Sequence, residues 1–353
     1  MAVKTVDIED FLQLAQELPV FDVRSPAEFS HAHFPAALSF PLFSDEERKV
    51  VGTTYKQISR EDAIKIGLDY FGPKMRTMVE TAEALVQKSG SNKIIVHCWR
   101  GGMRSAAIAW LLDLYGFEVY LLSGGYKAFR KWVLAYFDND LPMMVIGGYT
   151  GSGKTEVLNS LASKGEFIID LEKIAGHRGS AFGNLGLPTQ PGMEQVENEL
   201  AVYLRKIKAE LAISDKKWVW IEDESRRIGN INLPEGFYKH LKKAPFIFLD
   251  VPFELRLDTI LKNYGKFSTE DLENGIYRIR KRMGNDLNTK AIQLLHENNI
   301  KGSFEILLNY YDRFYLKSSF SHVRILKNAE LTGYSPNEIS DYLIETKKMY
   351  ADS

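Results

Sequence analysis

The sequence predicts an α/β protein of two domains with a helix-rich end, and three observations carry that prediction. A chain of 353 residues is long enough for two hydrophobic cores. Short apolar runs of strand length alternate with stretches of helical length, the pattern of mostly parallel sheets. Glycine-rich loops join a strand to a helix at two places, 98–104 and 148–155, one in each predicted domain.

Residues 20–23 (VFDV), 94–97 (IIVH) and 118–122 (EVYLL) read as buried strands of the first domain. The stretch 105–115 (SAAIAWLLDLY) has helical length, and Gly116 stands where a left-handed C-cap belongs. Residues 136–142 (YFDNDLP) mix polar side chains with a proline and mark the boundary, giving domains 1–137 and 141–353. A second series of strands follows at 143–147 (MMVIG), 167–170 (FIID), 218–222 (WVWIE), 246–250 (FIFLD) and 322–326 (HVRIL), with helical stretches between them. No internal repeat or low-complexity segment interrupts the pattern.

Composition removes several function classes. The chain is 45% hydrophobic and 26% charged, which is average for globular proteins and excludes a disordered or fibrous chain. No apolar run approaches a membrane span, and the start MAVKTVDIEDF does not read as a secretory signal. A single cysteine permits no internal disulfide and fits a reducing, cytoplasmic setting. The formal net charge is -1, with neither domain a basic arm, so nucleic-acid binding would have to come from local patches.

That cysteine lies in VHCWRGGMRS (96–105). A predicted strand runs straight into Cys98 and a helix starts near Arg104 and Ser105, so Trp99 to Met103 form a tight connection. Gly101 and Gly102 permit positive φ angles that turn successive amides inward. Inward amides at a helix N-terminus make an anion site. With Arg100 and Arg104 beside it, Cys98 is expected to have a lowered pKa and to act as a thiolate nucleophile, while Arg104 grips an oxyanion with two hydrogen bonds.

The spacing H-C-x5-R-S suits Cys-dependent phosphatases, and strand, Cys, loop, helix is also the rhodanese arrangement. Residues 20–41, VFDVRSPAEFSHAHFPAALSFP, resemble the first rhodanese motif through Asp22, Arg24, Glu28, Phe29, His33 and Pro35. LLSGGYKAFRKW (121–132) resembles the closing rhodanese motif through Gly124, Gly125 and Trp132. The loop is one residue longer than in common rhodaneses and accommodates a larger anion. It contains no Asp or Glu to protonate a leaving alcohol, which counts against a phosphatase.

The second loop, GYTGSGKT, fits G-x-x-x-x-G-K-T between the strand MMVIG and a helical stretch, the context a Walker A loop requires. Gly148, Tyr149, Thr150, Gly151, Ser152, Gly153, Lys154 and Thr155 would cradle phosphates, with Lys154 on the outer phosphate and Thr155 a ligand for Mg²⁺. Asp170, Glu222, Asp223 and Glu224 end predicted strands, where ligands gather in open α/β sheets, and each is a candidate metal ligand or base. FIFLDVPFELRL resembles the corresponding strand and helix of P-loop kinases. A kinase-like fold does not by itself mean kinase chemistry.

Arg278, Lys281 and Arg282 share one face of a predicted helix and offer a surface for a phosphate backbone, extended by Arg226 and Arg227 and by Lys127 or Lys131. The same face also reads as an ordinary solvated helix surface. His31, His33, His97 and His177 have no metal-ligand spacing, so no zinc is expected.

Both loops together with ERKVVGTTYKQISREDAIKIGL (47–68) and IEDESRRIGNINLP (221–234) resemble the tRNA 2-selenouridine synthase family over nearly the whole chain. The resemblance implies a rhodanese-like domain followed by a kinase-like P-loop domain. It also implies a tRNA substrate bound at the anticodon region, with wobble 2-thiouridine converted to 2-selenouridine. Selenophosphate would be the selenium donor and geranyl diphosphate the alkylating substrate for an S-geranylated intermediate; no tightly bound cofactor is implied. On this resemblance Cys98 handles selenium, Arg100 and Arg104 hold the phosphate part of selenophosphate, and the loop 148–155 holds the diphosphate. Tyr149 is a candidate to receive the unstacked base. The competing reading is a sulfurtransferase or Cys-phosphatase fused to an ATP-dependent kinase-like domain.

Overall fold

A computed structural model describes residues 3–87, 90–319, 325–330 and 335–351. Its contacts divide the chain into two compact units, one formed by Met1–Tyr136 with Glu197–Val202 and the other by Phe137–Val196 with Tyr203–Ser353.

The first unit is built on a wholly parallel five-stranded sheet. Its strands are β1 (Lys4–Val6), β2 (Val20–Asp22), β3 (Leu38–Ser39), β4 (Lys93–His97) and β5 (Glu118–Leu122), in the spatial order β1-β5-β4-β2-β3. β4 lies between β5 and β2, which explains the unbroken apolar run of Ile94, Ile95 and Val96, all without solvent exposure. The helix Met103–Tyr115 ends at Gly116, whose φ of 119° makes the left-handed cap.

The second unit contains β6 (Met143–Gly148), β7 (Phe167–Ile169), β8 (Val219–Glu222), a hairpin of β9 (Arg227–Ile228) and β10 (Ile231–Asn232), then β11 (Phe246–Asp250) and β12 (Ile325–Glu330). Its main sheet is parallel throughout, in the order β12-β11-β6-β8-β7. β6 is central and all six of its residues are buried. β6 has β8 on one side and the later strand β11 on the other, so its carboxyl end is the place where ligands bind in open parallel sheets. The expected strand at 322–326 lies partly outside the described residues, and the described strand begins at Ile325. The helices Phe253–Tyr264, Thr269–Met283, Asn285–His296 and Ile300–Ser319 form the helix-rich end around a core that includes Leu257, Ile276 and Leu308.

Among the described residues no helix is long and apolar enough to cross a membrane.

Candidate functional site

β4 delivers Cys98 to the base of its loop with the side chain only 3% exposed. Ser105 Oγ, on the first turn of the following helix, lies 3.1 Å from the Cys98 Sγ. Burial alone would push the thiol up, but hydrogen bonds from the Ser105 hydroxyl and from the amides of Arg100, Ser105 and Gly102 outweigh it, so the thiol falls below its ordinary value. The donors are therefore a hydroxyl and three amides at a helix N-terminus, the arrangement that favours a thiolate.

The loop itself is held from behind by the turn that follows β5. Tyr126 N–H donates to Cys98 O at 2.8 Å and Lys127 N–H to Trp99 O at 2.9 Å. A side chain at Gly125 would meet Cys98 O at 2.4 Å and Gly101 N at 2.5 Å, so only glycine allows this approach. Of the two loop glycines expected to adopt positive φ, Gly101 does so at 66° while Gly102 is extended at −99°. One left-handed residue suffices to turn the amides inward.

The arginines differ from the sequence reading. Arg104 forms a two-pronged pair with Glu28, at 2.6 and 3.2 Å, and Arg48 approaches the same carboxylate at 3.6 Å. An incoming oxyanion would have to compete with Glu28 for Arg104. Burial works against the Glu28 charge, yet the Arg104 pair holds its carboxyl below the ordinary value. Arg100 is exposed, as are Lys127 and Lys131. Behind the loop, Asp22 and Arg24 form a fully buried pair, and the Arg24 guanidinium lies 3.8 Å from the centre of the Tyr126 ring.

In the second unit β6 ends at Gly148 and the helix Lys154–Ser163 begins at the lysine of the motif. Lys154 Nζ donates back to Gly148 O at 2.9 Å, closing the loop on itself. Gly151 has φ of 83°, and a side chain there would meet Arg256 O at 2.7 Å. Arg256 in turn braces the loop: it donates to Thr150 O at 3.2 Å, pairs with both Asp312 oxygens at 2.9 and 2.8 Å, and lies 4.8 Å from the Tyr149 ring. Ser152 is buried and Gly153 is left-handed at 76°. Tyr149 is half-buried and packs edge-on against Phe248 and beside Tyr315, with Arg256 over it, so its ring braces the loop.

Thr155 Oγ1 lies 3.5 Å from Glu172 Oε2 and 3.4 Å from Glu222 Oε2. Glu172, Glu222 and Glu224 bring carboxylate oxygens within 4.8 Å of one another. Burial raises Glu172 to about 7, against the pull of Lys154. Loss of solvent, reinforced by the charge of Glu172, raises Glu224 to about 8. Glu222 rises well above the ordinary carboxylate range from burial and from the charges of Glu172, Glu224 and Asp170.

Two of the four acids read from the sequence serve elsewhere. Asp170 caps the short helix Leu171–Ala175 by accepting from Lys173 N at 2.8 Å. Asp223 pairs with Lys242 at 3.1 Å and accepts from the Tyr315 hydroxyl at 3.0 Å, while that hydroxyl accepts from Gly148 N. Glu172, which replaces Asp170 in the cluster, stands two residues beyond it and was hidden by the stronger strand-end signal. The basic candidates are scattered more than clustered. Arg226 faces Glu235 at 3.9 Å, Arg227 donates to Gly229 O at 3.0 Å, and Arg278 commits Nη1 to Ala181 O and Asn184 Oδ1. Lys281 and Arg282 are exposed on the helix that carries Arg278.

Comparison with known proteins agrees with this two-unit geometry. A family model described as the tRNA 2-selenouridine synthase AAA domain matches residues 141–346, and one for the rhodanese-like domain matches 7–131. A tRNA 2-selenouridine synthase of Nitrosomonas europaea is 37% identical over 266 residues, spanning 73% of this chain and 67% of that protein. The protein of the same name from Serratia proteamaculans is 36% identical and spans 79% and 77%. That from Pseudomonas syringae pv. tomato is 32% identical and spans 93% and 95%. With a family model covering more than half of its residues and relatives of this identity matched over most of their lengths, the chain belongs to the tRNA 2-selenouridine synthase family.

Proposed function

We propose that this protein converts 2-thiouridine at the wobble position of tRNA to 2-selenouridine, and that its two loops divide the chemistry. The observation that carries this reading is the combination, in one chain of this family, of a thiol held by four hydrogen-bond donors and a complete phosphate loop.

The phosphate loop takes the diphosphate of geranyl diphosphate. The thiocarbonyl sulfur attacks C1 of the geranyl group, the C1–O bond breaks, and diphosphate leaves with the electron pair. Lys154 and the amides at the start of the helix Lys154–Ser163 stabilise that departing charge. A phosphate-sized ligand must replace the internal bond from Lys154 to Gly148 O, so Lys154 exchanges one acceptor for another without being left unpaired. The rings of Tyr149, Phe248 and Tyr315 lie beside the loop and supply apolar surface for an isoprenoid chain.

Mg²⁺ fits the donor set beside the loop: Thr155 Oγ1 and three carboxylates are hard oxygen ligands within a few ångströms of one another. When bound it would neutralise phosphate charge. Burial, with mutual repulsion added to it, raises Glu172, Glu222 and Glu224 toward their neutral forms, and a cation bound among them would favour the charged carboxylates.

The thiol loop takes selenophosphate. Its amides and Arg100 receive the anionic group, and Arg104 joins them when released from Glu28. Cys98 handles the selenium as a thiolate. Water cleaves the P–Se bond and phosphate leaves; the selenide-level selenium adds at C2 of the alkylated base, the C2–S bond breaks, and the sulfur departs with a proton as geranyl thiol, a better leaving group than the sulfur of the unalkylated thiocarbonyl. Trp99, 39% exposed next to Cys98, offers an indole face to the unstacked base.

The test is mass spectrometry of nucleosides from 2-thiouridine tRNA incubated with geranyl diphosphate and selenophosphate. Wild type is expected to yield selenouridine, Lys154→Ala to stop before geranylation, and Cys98→Ala to accumulate the geranylated nucleoside. No mass change with wild type under competent donor conditions would overturn the proposal and direct attention to ATP-dependent chemistry at the phosphate loop.

A further inference from the structure

A residue far from both motifs reaches the layer behind the thiol. Glu197–Val202, the middle of the helix Met193–Ala212, belongs to the first unit although most of that helix belongs to the second. Within this segment Asn198 has no solvent exposure and uses its whole amide. Nδ2 donates to the Tyr126 hydroxyl at 2.8 Å and to His33 O at 2.9 Å, while Oδ1 accepts from Arg130 Nη1 at 2.5 Å. Both donors and the acceptor of the side chain are satisfied, which is the condition for burying an asparagine.

Tyr126 connects this amide to the catalytic loop. Its N–H holds Cys98 O at 2.8 Å, its ring carries the Arg24 guanidinium at 3.8 Å, and Trp99 packs against it with ring centres 5.7 Å apart. The residue before it, Gly125, already touches the loop so closely that a side chain would collide with Cys98 O and Gly101 N. The loop amides therefore follow any tilt or shift of Tyr126, and the hydrogen bond from Asn198 holds the hydroxyl at the far end of that side chain.

We propose that Asn198 is a positioning residue for Cys98, holding the Tyr126 hydroxyl so that the amides of the thiol loop stay aimed at Sγ. The inference rests on the assignment of Cys98 as the reactive group. It does not depend on which anion the loop receives. The charged groups around the thiol are Arg100 and Arg104 on the loop and the following helix, Glu28 paired with Arg104, and the Asp22–Arg24 pair behind, next to the buried His97. Tyr126→Phe keeps all of these side chains and removes the oxygen that Asn198 holds.

The experiment titrates the thiolate by its ultraviolet absorbance in the full chain. Because the chain has one cysteine, subtracting the Cys98→Ala protein isolates this thiol. The proteins compared are wild type, Asn198→Ala, Tyr126→Phe and the double variant. The midpoint is expected to rise by roughly half to one pH unit in each single variant, the equivalent of about one hydrogen bond. In the double variant it should rise no further, because both substitutions break the same link. Asn198→Ala also strips a partner from His33 O and Arg130; if that variant fails to fold, Tyr126→Phe alone carries the test. A folded Tyr126→Phe protein with the wild-type midpoint would overturn the inference, and so would fully additive shifts in the double variant. Failure of selenouridine formation in wild type, with these shifts intact, would count against the proposed reaction and leave the positioning role standing.

Discussion

The thiol loop and the phosphate loop each follow the central strand of a parallel sheet and each present backbone amides at the start of a helix, yet the ionisable groups around them are driven in opposite directions. Around Cys98 the donors outweigh burial and the thiol is pushed down, toward its anion. Around Thr155 burial and mutual repulsion push Glu172, Glu222 and Glu224 up, toward their neutral forms. The first loop already holds enough positive potential for its own charge. The second has more acid than Lys154 can balance. A shared backbone device thus leaves the local side chains to decide whether a site holds an anion of its own or calls for a cation from outside.

The strongest way to break this comparison is to remove each loop's principal group. Cys98→Ala is expected to lower selenouridine formation by about a thousand-fold or more while geranylation continues, measured by nucleoside mass spectrometry. Lys154→Ala is expected to lower geranylation by about a hundred- to a thousand-fold in the same assay. If either substitution suppressed both products equally, the division of labour between the loops would be wrong.

A second test leaves the chemical groups in place and moves the backbone. Gly125→Ala puts a methyl group where Cys98 O and Gly101 N already stand, and is expected to reduce selenium transfer by about ten- to a hundred-fold. Its geranylation rate should stay at the wild-type value. Loss of geranylation in a folded Gly125→Ala protein would contradict the assignment of that step to the phosphate loop.

The opposite pKa directions give opposite pH dependences of stability. Glu172 and Glu224 have folded values raised to about 7 and about 8, so between about 4.5 and those values the folded state binds more protons than the unfolded one. Their contribution to stability is therefore lost as pH rises through that window. Cys98 has a lowered folded value, so its contribution is complete above the unfolded value and is lost as pH falls through the folded one. Calorimetry of wild type and Glu224→Gln between about pH 6 and about pH 8.5 should show a decline in melting temperature that is smaller in the variant, by about 2–4 °C. Millimolar Mg²⁺ should flatten the wild-type decline. An equal decline in both proteins, with no response to Mg²⁺, would separate the carboxylates from any cation site.

The smallest effect belongs to the basic helix face. Lys281→Ala and Arg282→Ala should each weaken tRNA binding a few-fold and reduce the salt slope of binding by about one. Unchanged slopes would make this an ordinary solvated surface. Arg278 is the less informative target, because its guanidinium already holds Ala181 O and Asn184 Oδ1.

Much of this architecture was legible in the residues. The strands at 94–97 and 143–147 are runs buried on both sheet faces, those at 118–122 and 246–250 are apolar runs buried in part, and such runs need no alternation to be seen. β1, β3 and the hairpin β9–β10 were not legible, because KTV, LS, RI and IN lack the apolar run that marks the equally short β2 (VFD) and β7 (FII). Both glycine loops were readable as motifs because their function depends on backbone shape, and glycine records backbone shape. The partners of those loops were not. Glu28 facing Arg104, Arg256 bracing Thr150 and Asn198 holding Tyr126 are separated by 76, 106 and 72 residues, and only the fold brings them together. Ser105 was visible as a helix start, but its hydroxyl bond to Cys98 is a matter of which way one turn of helix faces.

The solitude of Cys98 has a consequence for oxidative damage. With one cysteine in these 353 residues, a sulfenic acid formed on Cys98 has no second thiol in the chain with which to close a disulfide. Repair, like the release of any oxidised chalcogen held there, has to come from a reductant in solution small enough to reach a side chain that is 3% exposed. The same narrow access that slows oxidants also slows rescue, so the working lifetime of the thiol depends on the size of the surrounding thiol pool's members as much as on their concentration.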